Sequence, residues 1–64
     1  MGKKPAWLIY AAEARNELDK VKPSKSGKHE EQAMLRTWKR ACADFGYPGE
    51  FYEWEILLHR LGSQ

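Results

Sequence analysis

The chain has 64 residues, with eleven Lys and Arg side chains against nine Asp and Glu, and a formal net charge of +2 at pH 7. That length suits one domain over residues 1–64, near the lower limit for folding on a single hydrophobic core. A chain this small has little room for a sheltered pocket with supporting groups. We therefore expect neither an enzyme nor a protein with a small-molecule substrate.

Cysteine and histidine usage bears on the cellular compartment and on cofactors. Cys42 is the only cysteine, and the N-terminal residues contain no apolar run long enough for a signal peptide or a membrane span. These features predict a cytoplasmic protein that does not bind membranes. Cys42, His29 and His59 match no zinc-ligand spacing, so we expect no metal ion and no other cofactor.

The first predicted helix spans residues 5–21. Apolar residues recur there every three or four positions, which places them on one helix face: Trp7, Ala11, Ala14, Leu18 and Val21. Pro5 suits the first helical turn, where its missing N–H is no loss. A polar, basic segment follows at residues 22–27, and its Pro, Ser and Gly residues predict a loop.

Two further helices are predicted at residues 28–45 and 49–61. Their apolar stripes are Met34, Trp38, Ala41 and Phe45 in the second helix, and Phe51, Trp54, Leu58 and Leu61 in the third. Gly46 and Gly62 come after these stripes, where glycine is a typical helix terminator. A tight Gly-Tyr-Pro-Gly turn joins the two helices as a hairpin. The predicted fold class is all-α, a small three-helix domain.

Large apolar side chains exceed what one buried stripe per helix requires. Residues 7–10 and 56–58 are consecutive apolar runs, which at about 100° per residue wrap most of the way around a helix. The excess predicts an interface with a second copy or with another protein, formed by Trp7, Ile9, Tyr10, Tyr52 and Ile56. The alternative is that Ile9 and Tyr10 flank a small core, with the Tyr10 hydroxyl in water.

Charge is distributed unevenly along the chain. Residues 20–40 carry a balance of +5, and residues 41–64 a balance of −3. The cations of the loop and the second helix form a candidate phosphate-contacting set: Lys25, Lys28, Arg36, Lys39 and Arg40. Two alternatives stay open, namely an ordinary solvated face or a contact with the acidic third helix of another copy. A DNA-reading helix-turn-helix is disfavoured, because Glu50, Glu53 and Glu55 would face phosphates.

Two functional hypotheses follow. The first is a small non-enzymatic regulatory or inhibitory protein that acts by stoichiometric protein–protein binding as a homodimer, and its size would fit an accessory protein of a phage or mobile element. The second is a nucleic-acid-binding accessory or transcriptional regulatory protein that uses the basic loop and the second helix. Salt-sensitive binding to nucleic acid would separate the second hypothesis from the first.

Overall fold

The structure, a computed structural model, describes residues 3–22 and 25–63 and contains three helices: α1 (Ala6–Lys20), α2 (Lys28–Phe45) and α3 (Phe51–Gly62). This confirms the predicted all-α, three-helix fold class. The bounds of α1 and α3 differ from the predicted ones by one or two residues, and Gly62 is the last residue of α3. The predicted loop at 22–27 includes Pro23 and Ser24, which lie outside the described residues.

The ends of α1 and α2 follow from their local sequence. Pro5 precedes α1, and its carbonyl accepts a hydrogen bond from the Leu8 N–H at 3.0 Å. At the end of α2, Gly46 has the left-handed conformation, with φ of 69°. This allows the Tyr47 N–H to reach the Ala41 carbonyl at 3.0 Å, so that the last turn of α2 closes on itself. The prediction that Gly46 ends the second helix is confirmed.

The core lies where the inner faces of all three helices meet. α1 packs against both α2 and α3, and its contact with α2 is the most extensive. Four of the buried residues of α1 and α2 are alanines, and such small residues let two helices approach closely. Wholly buried Trp54 enters this core from α3. The buried residues are Tyr10, Ala11, Ala14 and Leu18 on α1, Ala33, Met34, Thr37 and Ala41 on α2, and Trp54 and Leu58 on α3.

A buried hydrogen-bond chain joins α2 to α3. The Trp54 indole N–H donates to the Thr37 hydroxyl oxygen at 3.0 Å, and the Thr37 hydroxyl donates to the Met34 carbonyl at 2.9 Å. Thr37 is 1% exposed, so these two hydrogen bonds replace the water molecules that the Thr37 hydroxyl and the Trp54 indole N–H lose on folding. A second indole, that of Trp38, donates to the Gly49 carbonyl at 3.2 Å and holds the turn against α2.

Tyr10 departs from the predicted face of α1. Its side chain is only 5% exposed, and its ring stacks on Phe45 with centroids 4.6 Å apart and planes 12° apart. Trp7, which was expected on the same stripe as Ala11, is half-buried and meets the Tyr47 ring edge-on at 4.9 Å. The start of α1 therefore contributes more aromatic surface to the core than its spacing predicted, because the aromatic side chains of Phe45 and Tyr47 lie opposite it.

Candidate functional site

Four cations of the predicted phosphate-contacting set lie on the outer face of α2. Lys28, Arg36, Lys39 and Arg40 are all exposed, and we call them the basic surface. Relative to buried Met34 they are displaced by two, five or six residues, which places each at least about 120° around the helix from that residue. Arg40 follows α2 round to its α1 edge, where it lines a hollow with Tyr10. From Lys28 to Arg40 the surface extends over about 18 Å of helix. From residue 32 to residue 43, α2 contains no carboxylate.

Two hollows flank this surface, and Arg36 borders both. One, of about 440 Å³, lies between α1 and α2 and is lined by Tyr10, Glu17, Lys20, Arg36, Thr37 and Arg40. The other, of about 280 Å³, is lined by Gln32, Leu35, Arg36 and Lys39. Because the hollows share Arg36, the three cations Arg36, Lys39 and Arg40 form one continuous strip across α2. Lys28 lines neither hollow and lies one turn before this strip's carboxylate-free stretch, beyond Glu30 and Glu31.

Arg40 is held in place by two contacts. Its guanidinium carbon lies 5.7 Å from the centre of the Tyr10 ring, within range of a cation–π interaction. Its Nε also lies 3.4 Å from an Asp44 carboxylate oxygen. Both partners of that ion pair are more than half exposed, so the pair contributes little to stability and leaves the cation accessible.

The Tyr10 side chain forms part of the wall of the α1–α2 hollow. Burial raises the pKa of its phenol above the ordinary value, the Glu17 carboxylate raises it further, and the Arg40 guanidinium opposes the shift. The phenol therefore stays neutral at physiological pH and can donate a hydrogen bond at the wall of the hollow. Glu17 is the carboxylate that lines this hollow, and it offsets part of the positive charge.

Two lysines extend the basic surface towards the start of α2. Lys25, predicted as a phosphate contact, lies in the turn before α2 and is exposed. Lys20 lines the α1–α2 hollow but was not among the predicted contacts. Sequence reasoning counted its charge but had no means of placing it beside Arg36, because only the packing of α1 on α2 brings the two cations together.

The five residues predicted for a partner interface do not form one patch. Tyr10 lies in the core, and Trp7 is half-buried. Ile9 is 59% exposed on α1, and it stands two residues from buried Ala11, about 200° around the helix. The last two, Tyr52 and Ile56, are 58% and 48% exposed and lie one turn apart on the outer face of α3. The structure thus brings Tyr52 and Ile56 together.

Exposed Leu35 is an apolar residue that the predicted interface did not include. It is 36% exposed and lines the smaller hollow beside Arg36 and Lys39. Leu35 directly follows buried Met34, so helical spacing alone could have placed it at the margin of the buried stripe of α2. Its position one residue beyond the core face leaves it at the edge of the basic surface.

Within residues 3–22 and 25–63, no helix has the length and apolar character needed to cross a membrane. This part of the chain also contains no group of three or more His, Cys, Asp or Glu side chains arranged to hold a metal ion. No protein family model matches the chain, and neither a curated protein nor a solved structure matches it.

Proposed function

We propose that this chain is a small, non-enzymatic nucleic-acid-binding protein that contacts the phosphate backbone through the outer face of α2. The observation that carries the proposal is the continuous strip of Arg36, Lys39 and Arg40, in which Arg36 connects the hollows on both sides of the helix. Phosphates bind such strips because each Lys or Arg contact releases a counterion from the nucleic acid.

The composition of the basic surface favours a duplex over a single strand. Proteins that bind single strands stack bases on exposed aromatic side chains. Among the described residues of α2, the two aromatic side chains, Trp38 and Phe45, are half-buried and pack against the core. The outer face therefore offers cations and the short apolar side chain of Leu35, which suit a helical backbone and not unstacked bases.

The contacts available predict binding without strong sequence preference. Lys and Arg contacts to phosphates orient a protein on the duplex but do not read bases. The acidic and aromatic start of α3 is unsuited to a groove of the duplex, because Glu53 would face phosphates. In this proposal α2 lies along the phosphate backbone of the duplex. The protein would act as an accessory or regulatory protein by occupying a stretch of nucleic acid or by bridging two stretches.

The proposal is tested by titrating a fluorescently labelled mixed-sequence DNA duplex at about 50 and about 200 mM salt. Four phosphate contacts predict an affinity loss of about 10²-fold between these two conditions. An Arg36→Gln, Arg40→Gln double variant removes two contacts, and its plot of log affinity against log salt should be shallower by about two. A single-stranded RNA of equal length should bind more weakly.

The matched control is a Lys3→Gln, Lys4→Gln double variant. It loses the same formal charge from two exposed lysines that precede α1 and lie outside the basic surface. Its salt dependence should equal that of the unchanged protein. Equal effects of the two double variants would mean that net charge and not the basic surface drives binding. No duplex binding at about 50 mM salt would refute the proposal and leave a protein partner as the remaining hypothesis.

A further inference from the structure

We infer that the outer face of α3 is an interface between two copies of this chain, related by a two-fold axis that passes close to Ile56. This surface is separate from the basic surface and does not depend on nucleic-acid binding. It consists of Tyr52, Ile56 and Arg60, which we call the α3 stripe. All three are exposed, and they stand four residues apart, so they form one ridge along the helix.

The α3 stripe points directly away from the core. Tyr52 and Ile56 each stand two residues from wholly buried Trp54, about 200° around the helix. Two large apolar side chains that are 58% and 48% exposed and lie one turn apart form a contiguous patch. Ile9, although at least as exposed, has Glu13 as its neighbour one turn along α1 and forms no such patch.

The stripe is complementary to itself in the antiparallel direction. When Ile56 packs on Ile56 of the partner subunit, Tyr52 lies four residues before the contact and the partner subunit's Arg60 four residues after it. A guanidinium over a tyrosine ring is a favourable cation–π pair. The two-fold axis generates this pair twice, once at each end of the contact. Ridges of side chains spaced four residues apart pack at a crossing angle of about −50°.

Glu53 adds a charge pair to each end. It is exposed and follows Tyr52 in the sequence, and its charge and a side-chain hydrogen bond raise the pKa of the Tyr52 phenol. In the antiparallel arrangement this carboxylate faces the partner subunit's Arg60. The acidic start and basic end of α3 thus neutralise each other between two copies, whereas a parallel arrangement would place like charges together.

The size of the contact predicts its strength. α3 has twelve residues and is about 18 Å long, so two crossed copies bury less than the roughly 1,200 Å² of a standard interface. We expect a reversible dimer with a Kd between about 1 µM and 1 mM. Sedimentation equilibrium of the full chain without nucleic acid, from about 10 µM to about 1 mM, should show the mass rising from monomer to dimer.

The first variant is Ile56→Glu, with Ile9→Glu as its matched control, because Ile9 is the same residue type at a somewhat more exposed helical position. We expect Ile56→Glu to weaken dimerisation at least tenfold, about the effect of losing a central apolar contact, and Ile9→Glu to leave it unchanged. Far-UV circular dichroism should show the helix content of the unchanged protein in both. A monomer mass for the unchanged protein over the whole concentration range, or equal weakening by both variants, would overturn the inference.

A charge exchange tests the antiparallel register and does not depend on Ile56. Glu53→Arg and Arg60→Glu, each made alone, place like charges opposite one another and should each weaken the homodimer. An equimolar mixture of the two variants should form a heterodimer, because every cation then faces a carboxylate. A parallel pair already places like charges together, so either single variant forming as strong a homodimer as the unchanged protein would show that the antiparallel register is wrong. A mixture that stays as monomeric as its two components would also contradict it.

Discussion

The outer faces of α2 and α3 occupy equivalent places in the fold but carry different chemistry. Arg36 at the centre of the α2 face stands two residues from buried Met34, as Tyr52 and Ile56 stand two residues from buried Trp54, each about 200° around its helix. The outer face of α2 presents cations, whereas that of α3 presents Tyr52 and Ile56. Since neither face is needed to build the core, folding does not explain the difference between them.

The two faces differ in how favourably water solvates them. An exposed lysine or arginine is well solvated and costs a small protein nothing in solubility. Two neighbouring exposed apolar side chains lower solubility unless another surface covers them. Covering the α3 stripe with a partner therefore removes more unfavourable contact with water than covering the basic surface would. The basic surface, in turn, is the better match to phosphate groups. Three further experiments test this comparison.

The largest effect is expected at the hydrogen bond that joins the two helices beneath these faces. Thr37→Val leaves the buried Trp54 N–H without its acceptor and should lower the free energy of unfolding by about 1–3 kcal/mol. Thr37→Ser keeps the hydroxyl and loses one methyl group, so a loss of only about 1 kcal/mol is expected. Urea unfolding followed by tryptophan fluorescence measures both. Equal losses would mean that the hydrogen bond contributes nothing beyond packing.

An intermediate effect is expected when the variants of one face are measured by the assay of the other. Arg36→Gln with Arg40→Gln should weaken duplex binding at about 50 mM salt by about tenfold or more, yet leave the dimerisation constant unchanged. Ile56→Glu should weaken dimerisation at least tenfold, yet leave the salt dependence of duplex binding by the monomer unchanged. If either variant impairs both activities while the helix content is retained, the two faces form one site and the comparison fails.

The smallest effect is expected at the ion pair that ends the basic surface. Asp44→Asn frees Arg40 from a pair worth less than about 1 kcal/mol, so duplex affinity should rise by about two- to fivefold. Asp19→Asn is the matched control, because Asp19 pairs with Arg15 at 2.6 Å in the same i, i+4 geometry on α1. An equal rise in duplex affinity for both variants would mean that the change in net charge alone explains the effect.

The candidate surfaces differ in how far the sequence could predict them. The basic surface was largely predictable, because charged residues stay exposed and helical spacing alone places Arg36 and Arg40 on one face. The α3 stripe was only partly predictable: Tyr52 and Ile56 were expected in an interface, but together with Tyr10. Four consecutive apolar residues at the start of α1 left its rotation undetermined, since any of several faces would have satisfied the apolar pattern.

Local interactions determined what the sequence alone could tell: three helices, their approximate ends and the left-handed Gly46, all of which depend on residues within one or two turns. The tertiary structure decided what depends on distant neighbours. It buried Tyr10 against Phe45, gave Thr37 the Trp54 indole as a partner, and brought Lys20 beside Arg36. These outcomes depend on how helices rotate and approach one another, and interhelical packing sets that rotation where the local pattern is degenerate.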